Sequence, residues 1–184
     1  MSKPAVPPLL PDRYLPWPAP ERALLGRGGA SEVWRAQDRE LGILVALKVL
    51  RAEGARLAGR LEREAMLAAS VVHPNVIALH DMGRTPEGLP YLAFALASDG
   101  SMLDHSGQPL SWPELKEQTI GLLDALGAMH ARDLLHLDVK LSNLLLHRTG
   151  PRRRVLWGSR APASARRTTT GWCWGPSATW PPSG

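Results

Sequence analysis

Five short apolar runs separated by turn sequences fill much of residues 23–97, and no other feature of the 184-residue sequence constrains the fold as strongly. The runs are ALLG, SEVWRAQD, ILVALKVL, VIALHDMG and LPYLAFALA, with turns such as RGGA and RTPEG between them. Runs of this length bounded by turn residues are typical of β-strands. Between the third and fourth runs, residues 56–69 follow a helical period that ends before Pro74. The pattern predicts an α+β unit with a five-stranded antiparallel sheet and one helix.

The second half of the sequence has a helical character. Ser111 and Glu114 stand at capping-box spacing, and Pro113 lies in the first turn of the helix they would begin. A helical period then predicts a long, partly buried helix with five residues on its inner face: Leu115, Thr119, Leu122, Leu126 and Met129. After it, LLHLDVKLSNLLLH predicts a strand, a polar loop and another strand. No period continues from Pro151 onward.

The charge of the sequence is concentrated in its tail. The formal net charge is +5, yet residues 151–184 carry six arginines and no acidic residue, so the rest of the chain is close to neutral. The body is therefore predicted to have no nucleic-acid partner. The single cysteine, Cys173, excludes an internal disulfide and favours a cytoplasmic location. No apolar run reaches the roughly 20 residues that span a bilayer, and residues 1–12 are predicted to be an extended leader.

The first pattern that carries chemistry is LGRGGASEV. It places Gly26, Gly28 and Gly29 between two predicted strands, where backbone N–H groups can approach phosphate oxygens closely. A glycine-rich turn without a ligand is the alternative. The pattern is not the phosphate loop that ends in Gly-Lys-Ser/Thr, and a strand follows it rather than a helix.

The second pattern is VALK, which places Lys48 in an apolar strand. A charge there is costly unless it is paired. Glu64 lies on the same face of the predicted helix as Leu57 and Leu61, so it is expected to point inward. A buried Lys–Glu pair beside a glycine loop could hold nucleotide phosphates; a lysine at the edge of the sheet is the alternative.

The third and most specific pattern is HLDVKLSN, in which Asp138, Lys140 and Asn143 crowd a single loop. Asp138 can accept a hydroxyl proton, Lys140 can neutralise charge on a transferring phosphoryl group, and Asn143 can offer an oxygen to a metal ion. A surface turn also uses Asp and Asn, but does not require this order after the two preceding patterns.

In this order and spacing, the three patterns resemble those of eukaryotic-type serine/threonine protein kinases of the kind many bacteria carry, over about residues 13–148. The resemblance implies a protein-kinase-like α+β fold with a complete N-lobe and hinge at 13–97 and a partial helical C-lobe at 98–148. It also implies transfer of the γ-phosphate of ATP, with Mg²⁺, to serine or threonine hydroxyls of a protein substrate.

The resemblance further implies roles for individual residues. Asp138 would deprotonate the hydroxyl, Lys140 would stabilise charge, and Asn143 would bind magnesium. Lys48, positioned by Glu64, would hold the α- and β-phosphates. Around the adenine and glycine loop, the expected residues are Val33, Ala46 and Leu145 on either side of the ring, Phe94 as gatekeeper, Ala95 to Ala97 as hinge, and Ser31 in place of a third glycine.

The sequence departs from the family pattern in three places. Leu137 replaces the usual arginine, Leu141 replaces a common proline, and no Asp-Phe-Gly is present, since the one phenylalanine is Phe94. The aspartate of that motif is the family's principal metal ligand, so the chain is predicted to be inactive or nearly so. A non-catalytic nucleotide-binding or scaffolding remnant and a small-molecule phosphotransferase are the alternative functions.

Residues 149–184 are predicted to form an aberrant, disordered tail. Four of the seven tryptophans lie in the last 28 residues without a regular period. Reading the codons one nucleotide earlier permits Val-Leu-Gly-Thr-x-Gly-Tyr-Leu-Ala-Pro over residues 172–182, which resembles the end of a kinase activation segment. A frame shift after the catalytic loop is therefore expected to have produced the tail. The alternatives are an unrelated disordered tail and an arginine-rich nucleic-acid binder at 152–167.

Overall fold

The N-terminal part of the chain forms an antiparallel β-sheet. The computed structural model describes residues 8–28, 30–51, 59, 69–135, 139–149 and 152–157. The sheet has six strands: β1 (Tyr14–Pro16), β2 (Leu24–Arg27), β3 (Ser31–Asp38), β4 (Ile43–Leu50), β5 (Leu79–Arg84) and β6 (Pro90–Ala95). Their order is β1-β3-β4-β6-β5, and β2 pairs with the other part of the same edge of β3. Every pairing is antiparallel, so no crossover helix is needed between neighbouring strands.

The predicted α+β class and antiparallel sheet are confirmed, and β3 and β4 have the predicted bounds. The predicted count of five strands is wrong. The sixth strand, β1, is only three residues long and ends in proline, so its sequence gives almost no strand signal. It forms because Tyr14 lies opposite Asp38 in register with β3.

Alternation along β3 and β4 separates the two faces of the sheet. Trp34 and Ala36 of β3 and Val45 and Leu47 of β4 are fully buried in one apolar cluster, which also includes Tyr14 from β1. The opposite face carries Val33, Arg35, Ala46 and Lys48 toward a cavity. Period-two alternation therefore gives the same two strands a core face and a cavity-facing face.

A network of charged and phenolic groups fastens the N-terminal segment to the sheet. The Arg13 guanidinium donates to both oxygens of Asp38, which is fully buried, through Nε at 3.0 Å and Nη2 at 2.8 Å. This bond, together with backbone N–H groups of Glu40 and Leu41, holds the pKa of Asp38 below its ordinary value. The segment before β2 is thereby tied to the far end of β3.

Two tyrosine hydroxyls complete this network. Tyr14 Oη donates to Asp81 Oδ2 at 2.7 Å, and Tyr91 Oη donates to the same oxygen at 3.0 Å. The two rings meet edge to face, with centroids 5.6 Å apart. Burial, and then the Asp81 carboxylate, raise the pKa of both phenols above the ordinary tyrosine value. A β-bulge in β5 between Leu79 and Asp81 contributes to the placement of this carboxylate.

The second part of the fold is helix α1 (Trp112–His130) beside a hairpin of β7 (Leu144–Thr149) and β8 (Arg152–Trp157). The predicted capping box is confirmed: the Ser111 backbone N–H donates to the Glu114 carboxylate at 3.0 Å. Two of the predicted inner-face residues, Leu115 and Thr119, are exposed instead. The helix is rotated so that Gln118, Gly121, Ala125 and Met129 are its buried residues.

The prediction that residues 149–184 form a disordered tail is wrong for residues 152–157. They form β8, which pairs with β7 from Leu144↔Trp157 to Thr149↔Arg152, and Val155 is buried against Leu144 and Leu146. The rest of the predicted tail, 158–184, lies outside the described residues. So does most of the predicted helix at 56–69, of which Gly59 and Ala69 are described and helical. Within the described ranges, no helix is both long enough and apolar enough to cross a bilayer.

The two tyrosines allow a direct test of the network, because Tyr14 and Tyr91 are the only tyrosines in the sequence. Their pKa values are raised in the folded state, so the unfolded chain loses these protons first as pH rises. The stability that they contribute is present below the ordinary value of about 10 and decreases above it. In an alkaline titration, tyrosinate absorbance should appear together with loss of the far-ultraviolet dichroism. Tyrosinate absorbance near pH 10 with unchanged dichroism would contradict the network.

The glycines of α1 offer a matched pair for testing its packing. A methyl group on Gly121 would lie 2.6 Å from Asn75 Nδ2, which donates to the Val155 carbonyl at 2.9 Å, whereas one on Gly127 would meet no atom within 4 Å. Gly121→Ala should therefore lower the free energy of unfolding by about 1–3 kcal/mol. Gly127→Ala should raise it by up to about 1 kcal/mol, because alanine favours the helix. Urea denaturation measures both; equal stabilisation by the two substitutions would show that the Asn75 contact is not tight.

Candidate functional site

A cavity of about 350 Å³ lies between the second face of the sheet and β7. Its walls come from five separate parts of the chain: β2 and β3, β4, Ile77 just before β5, the segment from Phe94 to Asp104, and β7. The lining residues are Leu25, Val33, Arg35, Ala46, Lys48, Ile77, Phe94, Ala95, Leu96, Ala97, Ser98, Gly100, Asp104 and Leu145. A mostly apolar concave site with a few polar groups is the usual form of a small-molecule binding site.

Strand register explains how the sheet side of the cavity is built. Val33 lies opposite Lys48, and Arg35 lies opposite Ala46, which in turn lies opposite Phe94. Directly opposed residues point to the same face of a sheet, so these five side chains share the cavity side. Leu25 joins them because the register of β2 shifts between Leu24 and Gly26, and an irregularity of this kind re-aims a side chain.

Lys48 is the buried cation of the site, with 1% of its surface exposed. It lies in the β4 run between the buried residues Leu47 and Val49. An ammonium group at such a position is stable only with hydrogen-bonding or ionic partners. Glu64, the partner that the sequence predicts, lies outside the described residues.

The segment after β6 is fastened to β7 across the cavity floor. The Leu146 N–H donates to the Gly100 carbonyl at 2.8 Å, and the Asp99 N–H donates to the Leu146 carbonyl at 2.9 Å. Gly100 has a φ of +74°, and a Cβ there would lie 3.0 Å from the Asp104 carboxylate, so glycine suits this position on both counts. These bonds place Leu145 against the cavity while Leu144 and Leu146 pack into the core beneath it.

The polar loop before β7 places two of the predicted site residues. Asn143 is fully buried at the end of a short 3-10 turn, Leu141–Asn143, and its N–H donates to the Lys140 carbonyl at 2.9 Å. Lys140 itself is exposed. Asp138, the predicted base, lies outside the described residues.

Among the described residues, Asn143 is the one that the sequence assigns to a magnesium ion. No group of three His, Cys, Asp or Glu residues that could hold a metal occurs among them. Mg²⁺ is usually held by one or two carboxylates with substrate phosphates, and Asn143 supplies only an amide oxygen.

The structure brings together about half of the predicted site residues. One cavity gathers Val33, Ala46, Lys48, Phe94, Ala95, Ala97 and Leu145. Gly26 in β2, Gly28 just after it and Ser31 at the start of β3 are not part of its lining; the Gly28 N–H donates to the Ser31 carbonyl at 2.8 Å. Gly29, like Glu64 and Asp138, lies outside the described residues.

Several lining residues escaped the sequence interpretation. Leu25 directly precedes Gly26, and Arg35 lies two residues after Val33 on the same strand face, so alternation could have indicated Arg35. No comparable signal points to Ile77, Ser98 or Asp104. These residues join the cavity through turns and loop hydrogen bonds, which have no period in sequence.

The six-stranded sheet and the cavity beside it define the N-lobe of a protein kinase. Helix α1 belongs to part of the helical lobe. Residues 20–157 match the family model of the protein kinase domain. The chain is 39% identical to a probable serine/threonine-protein kinase of Streptomyces coelicolor, over 80% of this chain and 23% of that protein. It is 34% identical to the serine/threonine-protein kinase PknB of Mycobacterium leprae, over 89% of this chain and 27% of that protein.

The chain therefore belongs to the protein kinase family, and its relatives are bacterial serine/threonine kinases. A third relative, a probable PknB of Bifidobacterium longum, is 31% identical over 69% of this chain and 20% of that protein. The chain spans about a quarter of the length of the relatives it matches.

Proposed function

We propose that the cavity is an ATP site and that the chain is the nucleotide-binding part of a serine/threonine protein kinase domain. The observation that carries the proposal is the meeting of Val33 from β3, Ala46 and Lys48 from β4, and Leu145 from the distant strand β7 in one cavity. The apolar residues provide a slot for a flat aromatic ring, and Lys48 provides a charge for phosphates.

The dimensions and the polarity of the cavity support this proposal. Its volume of about 350 Å³ is within the range of roughly 300–1,000 Å³ for small-molecule sites. Ala46 and Val33 are small side chains on the sheet side, and Leu145 faces them from β7. In the proposed site the adenine lies between these side chains, with Phe94 at the back and Ala95 to Ala97 along the edge of the ring.

Lys48 would hold the α- and β-phosphates. Lys48 is 1% exposed, which fits a residue whose charge interacts with a ligand rather than with water. The glycine segment from Gly26 to Gly29, between the start of β2 and β3, would approach the phosphates with its backbone N–H groups. Ser31, which is 4% exposed, would support that turn rather than contact the nucleotide.

The proposed reaction is that of the family, transfer of the γ-phosphoryl group of ATP to a serine or threonine hydroxyl. The hydroxyl oxygen forms a bond to the γ-phosphorus, the bond from that phosphorus to the bridging oxygen breaks, and ADP leaves. Asp138 would accept the hydroxyl proton, and Lys140 would stabilise charge on the transferring group. The family generally uses magnesium, which supplies charge neutralisation when bound. Asn143 would be one of the ligands of this ion.

The chain is further proposed to transfer little phosphate. The sequence has no Asp-Phe-Gly, so the metal-binding carboxylate of the family's motif is missing. A non-catalytic, nucleotide-binding remnant is therefore the second candidate function, and the same absence favours it. A cytoplasmic location is proposed from the single cysteine.

Nucleotide binding tests the proposed site. Wild type should bind ATP weakly, and Lys48→Ala should reduce the affinity by at least about tenfold, because a hydrogen-bonded charge opposite the phosphates is lost. Glu64→Ala should weaken binding less, by misplacing Lys48. Lys116→Ala removes an exposed lysine outside the cavity and should have no effect. Titration calorimetry measures the affinities; equal binding by wild type and Lys48→Ala would refute the assignment.

Phosphoryl transfer tests the second part of the proposal. Incubation with radiolabelled ATP and a basic protein substrate should give little or no labelling, because charge on the transferring group is not neutralised by a full metal site. Asp138→Asn is the control: labelling that persists in this variant comes from a trace of another kinase in the preparation. Strong labelling by wild type that disappears in Asp138→Asn would show that the chain is an active kinase despite the missing motif.

A further inference from the structure

We infer that Arg35 is a nucleotide-binding residue of this cavity, and that its guanidinium contacts the base and ribose rather than the phosphates. The inference rests on the proposed nucleotide site and adds a cation to it. Neither the glycine turn nor the Lys48 pattern indicates this residue.

The backbone of Arg35 is held on the edge of β3 that β1 and β2 share. Its N–H donates to the Ala23 carbonyl at 2.7 Å, and its carbonyl accepts from the Trp17 N–H at 3.1 Å. The chain leaves the sheet after β1 and returns to it at β2, so the two bonds come from either side of this excursion. These two hydrogen bonds fix the position of the Arg35 backbone beside the cavity.

The side chain of Arg35 lines the cavity and is half-buried. Its Nε is buried and has no hydrogen-bond partner in the part of the chain that the structure describes. A guanidinium stays charged at any physiological pH, and a desolvated N–H without an acceptor is unfavourable. A ligand that offers an acceptor, or a flat ring on which the guanidinium stacks, would remove this disadvantage.

The strand register separates Arg35 from the phosphate end of the site. Lys48 lies opposite Val33, one row nearer the turn between β2 and β3, whereas Arg35 lies opposite Ala46. Successive rows on one face of a sheet are about 6.8 Å apart along the strand. The phosphates, held by Lys48 and the glycine turn, therefore lie beyond the row of Arg35. The row of Arg35 and Ala46 is the one proposed to cover the nucleoside.

The planar guanidinium suits this position. Arginine stacks on aromatic faces and donates in a fixed fork, while the lysine ammonium is a compact point charge. The aliphatic stem of Arg35 can cover the ring beside Ala46, and the head group can reach the acceptors on the nucleoside edge. Arg35 would thus increase affinity for adenosine itself, and not only for its phosphates.

The test compares adenosine, ADP and ATP in binding to wild type and four variants by titration calorimetry. Arg35→Ala should weaken all three ligands by a similar factor of about ten, the loss of one charge-assisted contact. Arg35→Lys should recover only part of this loss. Lys48→Ala should weaken ATP and ADP far more than adenosine. Arg39→Ala, which removes an exposed arginine just after β3, should change none of them.

The outcomes separate the two proposals. Failure of wild type to bind any of the three ligands would overturn the nucleotide site and the role of Arg35 with it. Binding by wild type that is unchanged in Arg35→Ala would overturn the role of Arg35 alone. Loss of affinity for ATP without loss for adenosine would also overturn it, since Arg35 would then be a phosphate ligand. If Arg35→Ala does not fold, as judged by circular dichroism, Arg35→Lys decides by the same comparison.

Discussion

The pairing of β3 with β4 is the constraint on which the rest of the structure depends. Eight consecutive residues on each strand are in register, from Ser31↔Leu50 to Asp38↔Ile43. This single register places Trp34 and Leu47 in the apolar core and Val33 and Lys48 toward the cavity. A slip by one residue would exchange the two faces, exposing the core and burying the cations against it. The core and the candidate site are therefore specified by the same hydrogen bonds.

The cavity exists because a second element closes it. The face of the sheet that carries Lys48 would be an open surface without β7, whose Leu145 packs with Leu92, Phe94 and their neighbours. The hydrogen bonds between Gly100, Asp99 and Leu146 hold β7 to the segment that follows β6. Cavity-lining residues from the sheet and from the hairpin are thus brought together by backbone contacts.

The N-terminal segment has a structural role that its sequence does not suggest. Leu10, Tyr14 and Ala23 pack on the core face of the sheet, and Arg13 forms an ion pair with the buried Asp38. The same segment supplies the Trp17 and Ala23 backbone groups that hold Arg35. The chain just after the predicted leader at 1–12 therefore helps to shape the wall of the candidate site.

The sequence by itself determined the class of the fold, the strands β2 to β6, the capped start of α1 and the family, because these features depend on local period, turn residues and short motifs. It also indicated seven of the residues that line the cavity. Only the tertiary structure decided the sixth strand, the inner face of α1, the strand at 152–157 and the place of Asp104. The first three depend on a partner in another element: Asp38 for β1, Asn75 for Gly121 and Leu144 for Val155. Local preference cannot encode such contacts, because their free energy arises only when the separated segments have already met.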